Sequence, residues 1–268
     1  MFSYQEYYVH KQLSPFIKKL WTLNNSTNSE TISNKQVLPN GCFNIAVITG
    51  EGLTIRYLNA EIQLMEGVYF CGQMTEAVQV DIRPHTKAVM IQLYPWTPVC
   101  FTSLGMDDCA DKIKLVDDMG DMAAQCLTGL SGLNNQQICR YLLQAFKPLL
   151  KPDTVTLIVT QTTQQIIDVH GNITIAELAA NLRCSARYLQ KLFKKHIGLS
   201  PKEFALIIKL RNAVDGISYP SSSKDSLTHL ALTNQFYDQA HFNNTFQSIV
   251  KTSPKKFHVP DYFLSWKK

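Results

Sequence analysis

Shifting the sequence against itself by 53 residues superposes Leu189 on Phe242, Phe193 on Phe246, Ser200 on Ser253, Pro201 on Pro254, Lys202 on Lys255 and Phe204 on Phe257. Self-similarity at such a period is the mark of one supersecondary unit made twice. Whatever residues 185–204 fold into therefore has a second copy near the carboxyl end. In each copy the matched apolar residues fall on one helix face, because side chains four apart on a helix stack one above the other. The Ser-Pro pair that follows reads as an N-cap with proline at the first helical position.

The residues around the first copy predict its local structure. Thr174-Ile175-Ala176-Glu177 is a capping box, and Ile175, Leu178, Ala179 and Leu182 then give a short helix one apolar face. Arg183-Cys184 makes the turn, and Ser185 caps a second helix whose apolar face is Leu189, Leu192, Phe193 and His196. Arg187, Gln190, Lys191 and Lys194 occupy its opposite face. A short helix, a tight turn and an amphipathic helix with a basic outer face make a helix-turn-helix, in which the second helix offers donors to bases and phosphates. Ser200 and Glu203 form another capping box, opening a long helix from Pro201 to about Asp215 with Phe204, Ile207, Ile208 and Arg211 on one side. Such a rod would hold two recognition helices, about 185–196 and 238–249, one turn of DNA (roughly 34 Å) apart. The outer positions change between copies: Arg187, Gln190, Lys191 and Lys194 become Ala240, Asn243, Asn244 and Gln247. Two units that read different bases would differ in this way.

Charge supports the assignment. Residues 1–150 carry 11 Lys+Arg against 13 Asp+Glu, whereas residues 151–268 carry 15 against 8. Only the second part is basic enough to meet a polyanion. Lys151-Pro152-Asp153 interrupts the helical pattern between them. Two domains follow, 1–150 and 151–268.

The first domain reads as β-rich from about residue 37 to 95. Cys42–Ile48 is an apolar run between Pro39-Asn40-Gly41 and Thr49-Gly50-Glu51-Gly52, Ala77–Ile82 alternates, and Lys87–Tyr94 is a second apolar run. Short strands at near-regular spacing predict a small barrel or sandwich, giving an α+β chain with an all-α second domain. Ile138, Tyr141, Leu142 and Ala145 predict a helix over Gln136–Leu150. Another runs from Thr154 to Val169 and is closed by His170-Gly171-Asn172.

Other function classes find little support. The seven cysteines include no C-x-x-C pair, and none of the seven histidines forms a ligand-spaced cluster, so no metal, cofactor or disulfide framework is expected. Glycine-rich phosphate loops and the G-x-S-x-G elbow are absent, so no catalytic residue is assigned. The opening residues lack a secretory pattern and no apolar run is long enough to span a bilayer, from which a cytoplasmic location without membrane contact is expected.

Ile175-x-x-Leu178-Ala179, Ser185-x-x-Tyr188-Leu189-Gln190-Lys191-Leu192-Phe193-Lys194, Gly198-Leu199-Ser200-Pro201-x-x-Phe204 and Phe236-Tyr237-Asp238-Gln239-Ala240-His241-Phe242 resemble the AraC/XylS family of bacterial transcription regulators. The likeness covers about residues 170–258. More loosely, Pro39-Asn40-Gly41-Cys42 and Leu104-Gly105 resemble the β-rich domain of one branch. The resemblance implies an activator or repressor that binds double-stranded DNA, with a small-molecule effector, a homodimer (here through the Gln136–Leu150 helix) and RNA polymerase as further partners. A co-regulator that has lost DNA specificity is the alternative. In the first unit Arg187, Gln190 and Lys191 are expected at the groove floor, and Lys194 and Lys195 at phosphates. In the second unit Gln239, His241, Asn243 and Asn244 are the expected contacts. The chain departs from the family pattern at Gln235 and Lys251, where glycine is usual, at Asn244, where arginine is usual, and in the longer loop Tyr219–Lys224. These departures predict a second unit with weak phosphate anchoring.

Overall fold

The computed structural model describes residues 1–146, 154–219 and 231–263. The amino-terminal part is two packed antiparallel sheets. The larger, of six strands, has the order β1 (Ser3–Tyr7), β2 (Ile17–Asn25), β9 (Thr86–Leu93), β4 (Phe43–Thr49), β7 (Gly67–Cys71), β10 (Ile113–Leu115). The smaller has the order β3 (Ile32–Val37), β8 (Val78–Ile82), β5 (Leu53–Tyr57), β6 (Ala60–Leu64).

The larger sheet is covered on both faces. Ile45, Val47, Val89 and Ile91 pack with Leu127, Ile138, Leu142 and Phe146 from α1 (Asp121–Leu127) and α2 (Asn135–Phe146). The alternate residues Ala46, Ile48, Ala88 and Met90 meet Leu53, Ile55, Val80 and Ile82 of the smaller sheet. Strands buried on both faces lose the polar half of their alternation, which is why 42–48 and 87–94 read as continuous apolar runs. The same burial hid β2, whose Lys19 and Asn25 are enclosed, so the β region begins at residue 3 and not near 37. The expected helix at 136–150 is seen from Asn135 to Phe146, and residues 147–153, including the expected domain boundary, lie outside the described residues. Its apolar stripe, Ile138, Leu142 and Phe146, is used against the sheet. A dimer through α2 would have to use its outer face.

The carboxy-terminal part is helical: α3 (Thr154–Asp168), α4 (Ile175–Asn181), α5 (Ala186–Ile197), α6 (Pro201–Ser218) and α7 (Gln239–Val250). As expected, α3 is closed by His170 and Gly171, both with positive φ, and Gly171 N–H donates to Ile166 C=O at 2.8 Å. Around α6 are two helical cores. One joins Val159, Leu178, Leu189, Phe193 and Phe204; the other joins Leu210, Val214, Phe236, Phe242 and Phe246.

These cores continue into the sheets. Leu38 and Ala77 belong to the second helical core, and Ala77 N–H donates to Ile249 C=O at 2.7 Å. A Cβ on Gly41, whose φ is +73°, would come within 2.8 Å of Phe204 and 2.9 Å of Ile208. A Cβ on Gly198 would come within 2.5 Å of the Met106 carbonyl. After α7 the chain returns to the smaller sheet. Phe263 N–H donates to Gln36 C=O at 2.9 Å, and the Phe263 ring sits among Phe2, Tyr4 and Trp21.

Candidate nucleic-acid interface

The first helix pair forms as its caps dictate. Thr174 and Glu177 make both bonds of the capping box. At the end of α4, Arg183 takes a left-handed φ of 51° while its N–H donates to Ala180 and that of Cys184 to Ala179. That pair of bonds is a Schellman closure. Ser185 then accepts from Tyr188 N–H at 3.1 Å and α5 begins. Its buried face is Leu189, Leu192, Phe193 and Ile197. The expected fourth member, His196, is only half-buried. With 3.6 residues per turn, positions seven and eight past Leu189 lie close to the same face, and the more apolar Ile197 takes the inside place. Arg187, Gln190, Lys191, Lys194 and Lys195 are all exposed. Lys194 also donates to Gly198 C=O at 3.0 Å, closing its own helix end, where a cation is favoured.

The second unit repeats this frame. Shifted by 53 residues, α5 coincides with α7 end for end, Ser185 with the N-cap Asp238, and the left-handed Gly198 with Lys251. Asp238 accepts from His241 N–H at 2.7 Å. Lys251 adopts φ 64° in spite of its side chain, and its ammonium lies 2.6 Å from the Glu76 carboxylate of the sheet domain. Gln235, the other position where glycine was the pattern, has φ 53°. Among the expected contacts, His241 and Asn244 are exposed and Gln239 and Asn243 half-buried. The Oδ1 of Asn243 is buried with no hydrogen-bond partner among the described residues. Most of the departing loop Tyr219–Lys224 lies outside the described residues.

The rod between the units is longer than expected, reaching Ser218. Its buried residues are Pro201, Phe204, Ala205, Ile207, Leu210, Ala213 and Val214, with Arg211 paired to Asp215 at 3.1 Å. Ser200 and Glu203 make both bonds of the predicted box. Ser253 does not repeat this: Pro254–Lys256 is a single 3₁₀ turn without a side-chain cap bond.

Two features escaped the sequence reading. Tyr237, between Phe236 and the N-cap, is 89% exposed. A cleft of about 730 Å³ lies between the sheets and the helices, lined by Tyr8, Lys18, Lys19, Trp96, His170 and Arg211 among others. Lys19 is ion-paired there to Glu6, which also accepts from Tyr4 at 2.6 Å and Tyr8 at 3.0 Å. Burial alone would raise the Glu6 carboxyl, but the bonds from Lys19 and Tyr4 and the Lys19 charge hold it below its ordinary value. Nothing in the spacing of residues 6–19 announces that a strand pair will bring them to the same wall as Arg211. The seven cysteines are free thiols, and among the described residues no helix is long and apolar enough to cross a membrane.

Two family models match the chain: a helix-turn-helix domain over residues 178–258 and a domain of unknown function, DUF6597, over residues 5–113. An uncharacterised HTH-type transcriptional regulator of Escherichia coli K12, YidL, is 30% identical over 91 residues, which are 32% of this chain. The match spans only 30% of that regulator's length. Among solved structures, ToxT from Vibrio cholerae aligns over 95% of this chain and 97% of its own at 10% identity, with a TM-score of 0.47. An AraC-type DNA-binding-domain protein from Chromobacterium violaceum aligns over 37% of this chain and 87% of its own at 20% identity, with a TM-score of 0.34. The carboxy-terminal part of the chain, with its duplicated caps and its α6 rod, carries a helix-turn-helix domain.

Proposed function

We propose that the chain is a sequence-specific DNA-binding transcriptional regulator that inserts α5 and α7 into successive major-groove segments. The observation that carries this reading is the equivalence of the two helices: same length, caps of the same geometry at the same positions, same buried positions, different outer face. In the first unit Arg187, Gln190 and Lys191 read bases, with Arg or Lys suited to guanine O6/N7 and Gln to adenine N6/N7. Lys195 meets phosphate, together with Lys194 when it leaves its own helix end. In the second unit Gln239, His241, Asn243 and Asn244 do the reading, with little charge to help.

Residues 1–150 act as the regulatory domain and residues 151–268 as the DNA-binding domain. The cleft between them is lined by Lys18, by Lys19 and Arg211, which are paired to Glu6 and Asp215, and by Asp215 itself. A small molecule with a single negative charge could pair with Lys18 there, and its binding would bias how the two domains meet.

Selection of random duplex DNA by the purified chain tests the reading. The expected result is a motif of two half-sites one helical turn apart. The observation that favours the co-regulator alternative is that α7 carries no Lys or Arg and Lys251 is engaged by Glu76. That alternative predicts salt-sensitive binding without a motif.

A further inference from the structure

The two helix-turn-helix units differ by one residue, and the difference falls at the DNA-facing corner. In the first unit the left-handed residue Arg183 stands two positions before the N-cap Ser185. In the second, left-handed Gln235 stands three positions before the N-cap Asp238. Both turns make the same pair of backbone bonds: Arg183 to Ala180 and Cys184 to Ala179, Gln235 to Leu232 and Phe236 to Ala231. Cys184 and Phe236 are therefore counterparts, and the residue added between closure and cap is Tyr237. Phe236 keeps the inward place, packing on Phe242 at 5.1 Å between ring centroids. The added residue is pushed outward until 89% of it faces solvent.

We propose that Tyr237 is a DNA-backbone contact, laying its ring along a deoxyribose and donating its hydroxyl to a phosphate beside the amino-terminal end of α7. This rests on the DNA-binding reading above and assigns a further residue to it. Residues 239–250 contain no Lys or Arg, and the ammonium at the helix's far end is held by Glu76. Anchoring from α7 itself must then come from neutral donors, beside the exposed Lys255 and Lys256 that follow it, and tyrosine is among the side chains that bond phosphate oxygens. The location fits, because the first residues of a recognition helix are those that approach the groove. An aromatic ring of about this exposure gains nothing from its own fold, since its removal uncovers no core.

The test compares the full chain with Tyr237→Ala and Tyr237→Phe on two duplexes taken from the selection, one with both half-sites and one with the second half-site scrambled. On the complete site, Tyr237→Ala is expected to bind about tenfold and Tyr237→Phe about threefold more weakly. On the scrambled site both bind as the parent does. A neutral donor displaces no counterion, so the slope of affinity against salt stays unchanged in both variants, whereas Lys195→Ala lowers it. Unchanged affinity of both variants on the complete site, with Lys195→Ala still weakened, overturns the proposal and leaves the DNA-binding reading intact. Loss of RNA polymerase recruitment with DNA affinity unchanged also overturns it and assigns the ring to a protein surface. If the parent selects no motif, both readings fall together.

Discussion

The Glu76 carboxylate lies 2.6 Å from the Lys251 ammonium, tying the segment between β7 and β8 to the left-handed residue that ends α7. A lysine at that φ costs about 1 kcal/mol relative to glycine. The ion pair offsets part of this cost, but with side-chain exposures of 49% and 26% it contributes at most about 1 kcal/mol after solvent screening. Lys251→Gly should therefore leave urea stability nearly unchanged, relieving strain while losing the pair. Lys251→Ala keeps the strain and loses the pair, and should be the less stable of the two by about 1 kcal/mol. Equal midpoints for the two variants would show that backbone strain at 251 is not felt.

The two serine caps should part company on mutation. Ser200 makes both bonds of a capping box and Ser253 makes no side-chain cap bond. Ser200→Ala is expected to cost about 1 kcal/mol in a denaturant titration. Ser253→Ala should stay within about 0.5 kcal/mol of the parent, as uninvolved surface positions do.

Charge on α5 should be visible in the salt dependence of DNA binding. Lys194→Ala combined with Lys195→Ala removes two exposed cations. As the phosphate contacts proposed for α5, their loss should lower the slope of log affinity against log salt by about two. A slope unchanged in this double variant would remove both lysines from the phosphate backbone.

The Glu6–Lys19 pair gives a pH prediction. The Glu6 carboxyl is held below its ordinary value of 4.5 in the folded chain. Its contribution is therefore present above the unfolded value and lost as pH falls through the folded one. Glu6→Gln removes the carboxylate paired to the buried Lys19 and should cost about 3 kcal/mol at neutral pH. Thermal midpoints of the two proteins should be apart at pH 7 and converge only as pH falls below the ordinary carboxylate value and through the lowered folded one. Parallel curves across that window would mean the pair does not titrate with folding.

The repeat was legible because caps and apolar spacing are local chemistry: Ser185, Asp238 and the faces of α5 and α7 can be read from a dozen residues each. Ser253 misled because a Ser-Pro pair permits a helix without requiring one to continue. Tyr237 was invisible for a different reason. A 53-residue shift aligns the recognition helices but not the turns before them, and only the closing bonds at Ala179 and Ala231 reveal the one-residue difference. The early strands were hidden by tertiary context: β2 places Lys19 and Asn25 inside, where no pattern of polarity would put them. For the cleft, Glu6, Lys19 and Arg211 meet only after strand pairing and domain packing, which no window of sequence contains.

Gly41 carries no side chain because Phe204 and Ile208 of the α6 rod occupy the space one would fill. A contact of that kind makes the two halves of the chain a matched set. Grafting these helices onto another sheet domain, or this sheet domain onto other helices, would succeed only if the loop around Gly41 travelled with its facing helix. Interchange of modules, the usual route to new regulators, is here restricted by the absence of one methyl group.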